Sequence, residues 1–69
     1  MVRLPRLRFW RERRALTQLE LAEQIGITRV ALMRIEMGQA DPRPKTTRAL
    51  AKALGVRLDD LMEPLDQEH

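Results

Sequence analysis

The sequence predicts an all-α domain, a compact bundle of four to five helices. Two observations carry this. Apolar residues recur at helical spacing along most of the chain, and no segment alternates apolar and polar residues as a half-buried strand would. Threonines stand where helices start (Thr17, Thr28), and glycines where helices end (Gly26, Gly38, Gly55). The 69 residues read as a single domain over 1–69, with a core at about 6–62 and an acidic tail over 63–69.

The first helix is expected over about residues 5–14, with Leu4, Leu7 and Trp10 turned to a core and Pro5 in its first turn. Thr17-Gln18-Leu19-Glu20 matches a capping box, and Leu16 just ahead of it is placed to pack on Leu21 as a hydrophobic staple. Leu21, Ala22 and Ile25 continue at helical spacing until Gly26 ends the second helix. Thr28 opens a third helix, read over 28–37, whose core stripe is Leu32 and Ile35. A turn of three or four residues around Gly26 is too short for antiparallel packing, so the two helices meet at a sharp corner. Ala40-Asp41-Pro42-Arg43-Pro44 is a loop, because each proline steers its predecessor away from the helical region. A fourth helix follows from about Lys45 to Leu54, with Leu50, Ala51 and Leu54 on one side and Gly55 at its end. Leu58, Leu61 and Met62 mark a short fifth helix with Asp59 as its cap, and Pro64 closes it.

Composition narrows the chemistry. Without cysteine there are no disulfides and no thiolate metal sites, and the single histidine is His69. No metal or other cofactor is expected. Two aromatics, Phe9 and Trp10, are too few for a platform that stacks single-stranded bases. No stretch approaches the ~20 apolar residues of a membrane span. No apolar run follows the basic start of the chain, so neither a membrane nor a secretory signal is expected, and a cytoplasmic location is. The acids are scattered, no nucleophile–base pair is visible and there is no glycine-rich phosphate loop, so an enzyme is not expected.

The net charge of +3 conceals a division along the chain. Residues 1–58 hold all 13 Lys and Arg against five acids, a net of +8. Residues 59–69 hold the other five acids and no base, a net of −5. Eleven of the 13 cations are arginine, whose planar fork suits phosphate and guanine edges. A basic body with an acidic end suits a polyanion-binding face kept away from the C-terminus.

A short helix, a glycine corner and a second short helix on a basic body match what a helix-turn-helix requires. The second helix must stand out far enough for its first turns to enter the major groove. The helix before it must aim its unpaired backbone N–H groups at a phosphate. Three segments carry a resemblance of this kind: residues 14–29 (Arg14-Ala15-Leu16-Thr17-Gln18 through Gly26-Ile27-Thr28-Arg29), Arg34-Ile35-Glu36-Met37-Gly38, and residues 50–61 from Leu50-Ala51 to Asp60-Leu61. In them the sequence resembles the lambda/434 repressor and Cro family, the XRE-type helix-turn-helix, over about residues 6–62.

The resemblance implies the lambda repressor-like DNA-binding fold and a sequence-specific regulator of transcription, most simply a repressor, with helix 28–37 in the major groove. It implies base contacts from Arg29, Val30 and Arg34. Phosphate contacts are implied for Gln18, Thr28, Gln39, Arg43, Lys45 and Thr46, and a structural ion pair for Arg11 and Glu36. The implied partner is double-stranded DNA, as a palindromic operator bound by a homodimer whose surface lies in Leu58–Leu65. No small-molecule effector is expected.

Chemistry alone supports parts of this. Arg29, one residue past the Thr28 cap, can donate two hydrogen bonds to guanine O6 and N7. Arg34 lies about 500° further round the helix, so it shares a face with Arg29 only at its edge. Val30 can offer a base only apolar contact, to a thymine methyl. Leu19, Met33 and Met37 stand where the family usually carries polar residues, and with Val30 they make the outer face of the third helix apolar. Such a face meets thymine methyls or a protein partner. The second possibility defines the competing function, an antitoxin or coactivator-type interaction module on the same fold.

Overall fold

The structure, a computed structural model, describes residues 3–62. Five α-helices follow one another: α1 (Leu7–Arg13), α2 (Gln18–Ile25), α3 (Arg29–Glu36), α4 (Pro44–Leu54) and α5 (Leu58–Met62). Among the described residues there is no strand. The predicted all-α bundle of four to five helices is therefore what the chain forms. The acidic tail at 63–69 and the part of Leu58–Leu65 beyond Met62 lie outside the described residues.

The helix boundaries follow from local chemistry. At α2 both halves of the capping box form: Thr17 Oγ1 accepts the Glu20 N–H at 3.0 Å, and Glu20 Oε1 accepts the Thr17 N–H at 2.8 Å. Thr28 caps α3 through the Ala31 N–H at 3.0 Å. Gly26 ends α2 at φ 81°, and its neighbour Ile27 returns its N–H to the Ala22 carbonyl at 3.0 Å. The same closure ends α1, where Leu16 bonds the Arg11 carbonyl at 3.1 Å. There the left-handed residue is Ala15, at φ 57°, the one non-glycine residue with positive φ among those described.

Three boundaries differ from the sequence reading. Helix α1 starts at Leu7 rather than Pro5: Pro5 and Arg6 form a turn that the Leu7 N–H closes on the Leu4 carbonyl at 3.0 Å, and the Arg6 N–H meets the Leu61 carbonyl of α5 at 3.1 Å. Helix α4 starts at Pro44, whose fixed φ and missing N–H suit the first helical position, with Arg43 as the residue before it. Asp59 does not cap α5. The helix starts at Leu58, and Asp60 reaches back from its first turn to accept the Arg57 N–H at 2.9 Å.

Leu4, Leu7, Leu21, Ala22, Leu32, Ile35, Leu50, Ala51, Leu54 and Leu61 form one core, with Trp10, Leu16 and Ile25 packed against it. Leu58 and Met62 are exposed at 38% and 43%, so Leu61 alone anchors α5 in the core. Helix α1 fastens the far end of the chain. Trp10 Nε1 donates to the Asp60 carbonyl at 3.1 Å, and Arg14 Nε donates to the Leu54 carbonyl at 2.7 Å, near the negative end of α4. Among the described residues no helix is long and apolar enough to cross a membrane.

Candidate nucleic-acid interface

Three residues, Gly26 to Thr28, separate α2 from α3. Leu21, Ala22, Leu32 and Ile35 are buried on the inner sides of the two helices. The starts of both helices are left at one surface. Thr17, Thr28, Arg29 and Val30 are exposed there, and Gln18 is half-buried.

A line of hydrogen bonds crosses this region from core to surface. Arg11 is buried and spends three donors inside the protein: Nη1 on the Leu16 carbonyl at 2.8 Å, Nε on Glu36 Oε2 at 2.6 Å and Nη2 on Glu36 Oε1 at 3.3 Å. The side chains of this ion pair are 10% and 4% exposed. The pair joins α1 to the last turn of α3, which sets the angle at which α3 leaves the body. Gln18 Nε2 donates to Glu36 Oε1 at 3.0 Å, and Gln18 Oε1 accepts from Arg29 Nη1 at 3.3 Å. A carboxylate only accepts, so Glu36 compels the Gln18 amide to turn its N–H inward and its oxygen toward Arg29. Arg29 spends one of its five donors on Gln18 and keeps the others for a ligand.

The remaining residues surround this line. Thr28 uses its hydroxyl oxygen on the α3 cap and is exposed, so its O–H remains to donate. Arg34 is exposed on the outer side of α3. Arg34, Asp41, Arg43 and Thr46 are the polar residues that line one groove of about 300 Å³ between α3 and the start of α4. Lys45 is exposed beside it, in the first turn of α4. Gln39 is exposed and gives its backbone N–H to the Arg34 carbonyl at 2.8 Å, so only its side chain is available. On the outer side of α1 the exposed Arg8 lies 3.0 Å from Glu12, and this hydrogen bond holds its guanidinium above the ordinary arginine pKa.

The contact of Gln18 with both Glu36 and Arg29 was not visible in the sequence. The three residues are 11 and 18 positions apart, and no local pattern requires them to meet. The surface as a whole offers donors: arginine forks, a lysine, hydroxyls and the N-terminal backbone of two helices. That chemistry suits phosphates and purine edges. Among the described residues no group of three or more acidic or histidine side chains could hold a metal ion.

Comparison with known proteins gives a consistent result. Residues 7–61 match the helix-turn-helix family model. An HTH-type transcriptional regulator of Methanocaldococcus jannaschii is 35% identical over 63 residues, covering 91% of this chain and 96% of that protein. One of Archaeoglobus fulgidus is 30% identical over 63 residues, covering 91% and 90%. The solution structure of the DNA-binding domain of the P22 C2 repressor superimposes with a TM-score of 0.83 at 27% identity, covering all of this chain and 92% of that one. A hypothetical transcription factor from Neisseria superimposes with a TM-score of 0.81 at 28% identity, covering 88% and 68%. The chain belongs to the helix-turn-helix family of transcriptional regulators, in its lambda/434 repressor and Cro-like (XRE) group.

Proposed function

We propose that this protein is a sequence-specific repressor that binds double-stranded DNA with α3, from its Thr28 cap to Met37, in the major groove. The observation that carries this is the α2–α3 corner, which leaves two helix N-termini and the exposed side chains of Arg29, Val30 and Arg34 on one surface. Arg29 and Arg34 read guanine edges, and Val30 touches a methyl. Gln18, Thr28, Gln39, Arg43, Lys45 and Thr46 hold phosphates and set the register. Arg11 and Glu36 hold α3 at its docking angle. Two copies bind a palindromic operator with their reading helices about 34 Å apart, in successive major grooves. The exposed Leu58 and Met62 of α5 belong to the surface through which the two copies meet. The protein acts by occupancy, without catalysis, in the cytoplasm.

The test is a titration of the full chain against random-sequence duplex DNA at two salt concentrations. Affinity falls with salt, with a log–log slope of about −0.9 for each phosphate neutralised. A flat or absent response rejects DNA binding and leaves the same fold as a protein-interaction module.

A further inference from the structure

Helix α4 carries a row of cations, of which the docking proposed for α3 uses only the first. Counting about 100° per residue from Pro44, Lys45, Arg48 and Lys52 stand at about 100°, 40° and 80°. The buried Thr47, Leu50, Ala51 and Leu54 stand on the other side, at about 300°, 240°, 340° and 280°. All three cations are exposed. Helix α4 contains no acid, and among the described residues no carboxylate lies within ion-pair distance of any of the three.

The fold gains little from this row. Like charges three and four positions apart repel one another on a helix. Lys45, in the first turn, also faces the positive end of the helix dipole. Lys52 alone suits its place, in the last turn. An anion laid along the row relieves the repulsion.

The surroundings favour duplex DNA over an acidic protein as that anion. A protein interface is built on an apolar centre, and α4 exposes no large apolar side chain. A phosphate backbone asks only for donors and charge. The row continues from the α3–α4 groove, which Arg43 and Thr46 line, on a body of net charge +8 over residues 1–58. From Lys45 to Lys52 the helix rises about 10 Å, the axial length of about three successive phosphates of one strand.

We propose that Lys45, Arg48 and Lys52 form a ridge that binds phosphates of the duplex flanking the operator half-site. Arg48 and Lys52 thereby lengthen the footprint without reading sequence. This rests on the docking of α3 in the major groove.

The experiment titrates the full chain against its selected operator at two salt concentrations. One duplex ends at the half-sites; the other extends about 10 bp, one helical turn, beyond each. The extended duplex should bind more tightly, with a salt slope steeper by about 2 for each copy bound, about 0.9 from each of Arg48 and Lys52. The variant R48A/K52A changes two exposed positions. It should keep its helical circular dichroism, its affinity for the short duplex and its base preferences, while losing the gain from the flanks. The variant R8A/R57A removes the same charge from α1 and from the turn before α5, and should keep that gain. Equal affinity of the unaltered chain for both duplexes, with the salt slope intact, overturns the ridge and leaves the docking in place. So does a gain that R48A/K52A retains, or one that R8A/R57A loses equally, which would assign it to total charge. No salt-dependent binding of the unaltered chain to either duplex overturns both.

Discussion

Glu36 serves two residues with different tasks. Toward the core it neutralises Arg11; toward the surface it sets the orientation of Gln18. Removing it leaves a buried guanidinium with one carbonyl partner, so Glu36→Ala is expected to destabilise the fold by about 3–5 kcal/mol, read as a large fall in the denaturant midpoint. Arg8→Ala breaks an exposed pair and should leave the midpoint where it was. Gln18 contributes by restricting Arg29. Arg29→Ala is expected to relax one position of the selected operator, losing about 1–3 kcal/mol of guanine discrimination. Gln18→Met should relax the same position by about 0.5–1.5 kcal/mol, the worth of a side chain already held in place. The two losses should not add in the double variant. Additive losses, uniform over all sequences, would show that Gln18 acts on phosphate alone.

Helix α1 ends at a disadvantage that α2, α3 and α4 avoid. Its closing turn needs a left-handed residue, and Ala15 occupies it where α2 and α4 place Gly26 and Gly55. A side chain in that region costs about 1–2 kcal/mol, partly recovered because alanine has less freedom to lose from the unfolded chain. Ala15→Gly is therefore expected to stabilise the protein by about 0.5–1 kcal/mol. For a domain of this size, 1 kcal/mol corresponds to about 4–8 °C in Tm, measurable by thermal denaturation. An unchanged or lower Tm would contradict the strain assigned to this turn. At the start of α2 the expectation is opposite: Thr17→Ala removes a formed capping box and should cost about 1 kcal/mol.

At the scale of the molecule, the distribution of charge matters more than its total. Arg34 and Arg43 line the α3–α4 groove, and Lys45 is exposed in the first turn of α4. Neutral contacts such as Gln18 and Thr28 position the protein, whereas Lys and Arg release counterions. Arg43→Ala and Lys45→Ala should each weaken binding to all sequences and reduce the magnitude of the salt slope by about 1. A slope unchanged in either variant would place that cation away from the phosphates.

Much of this was legible in the amino-acid order, because helix starts and stops are local. Thr17, Glu20, Gly26, Thr28 and Gly55 act within five residues of themselves, and the leucine stripes name the core directly. The order of these signals determined the bundle and its corner. The errors fell at helix starts, where neighbouring residues offer competing turns and caps: Pro5 and Arg6 form a turn ahead of α1, and Asp60 rather than Asp59 accepts the Arg57 N–H at the start of α5. The Arg11–Glu36 pair is implied by the family resemblance, but its continuation through Gln18 to Arg29 was decided only by packing. The members of the line come from three helices, and a hydrogen bond between residues 18 positions apart has no signature in the sequence until the core brings them within 3 Å.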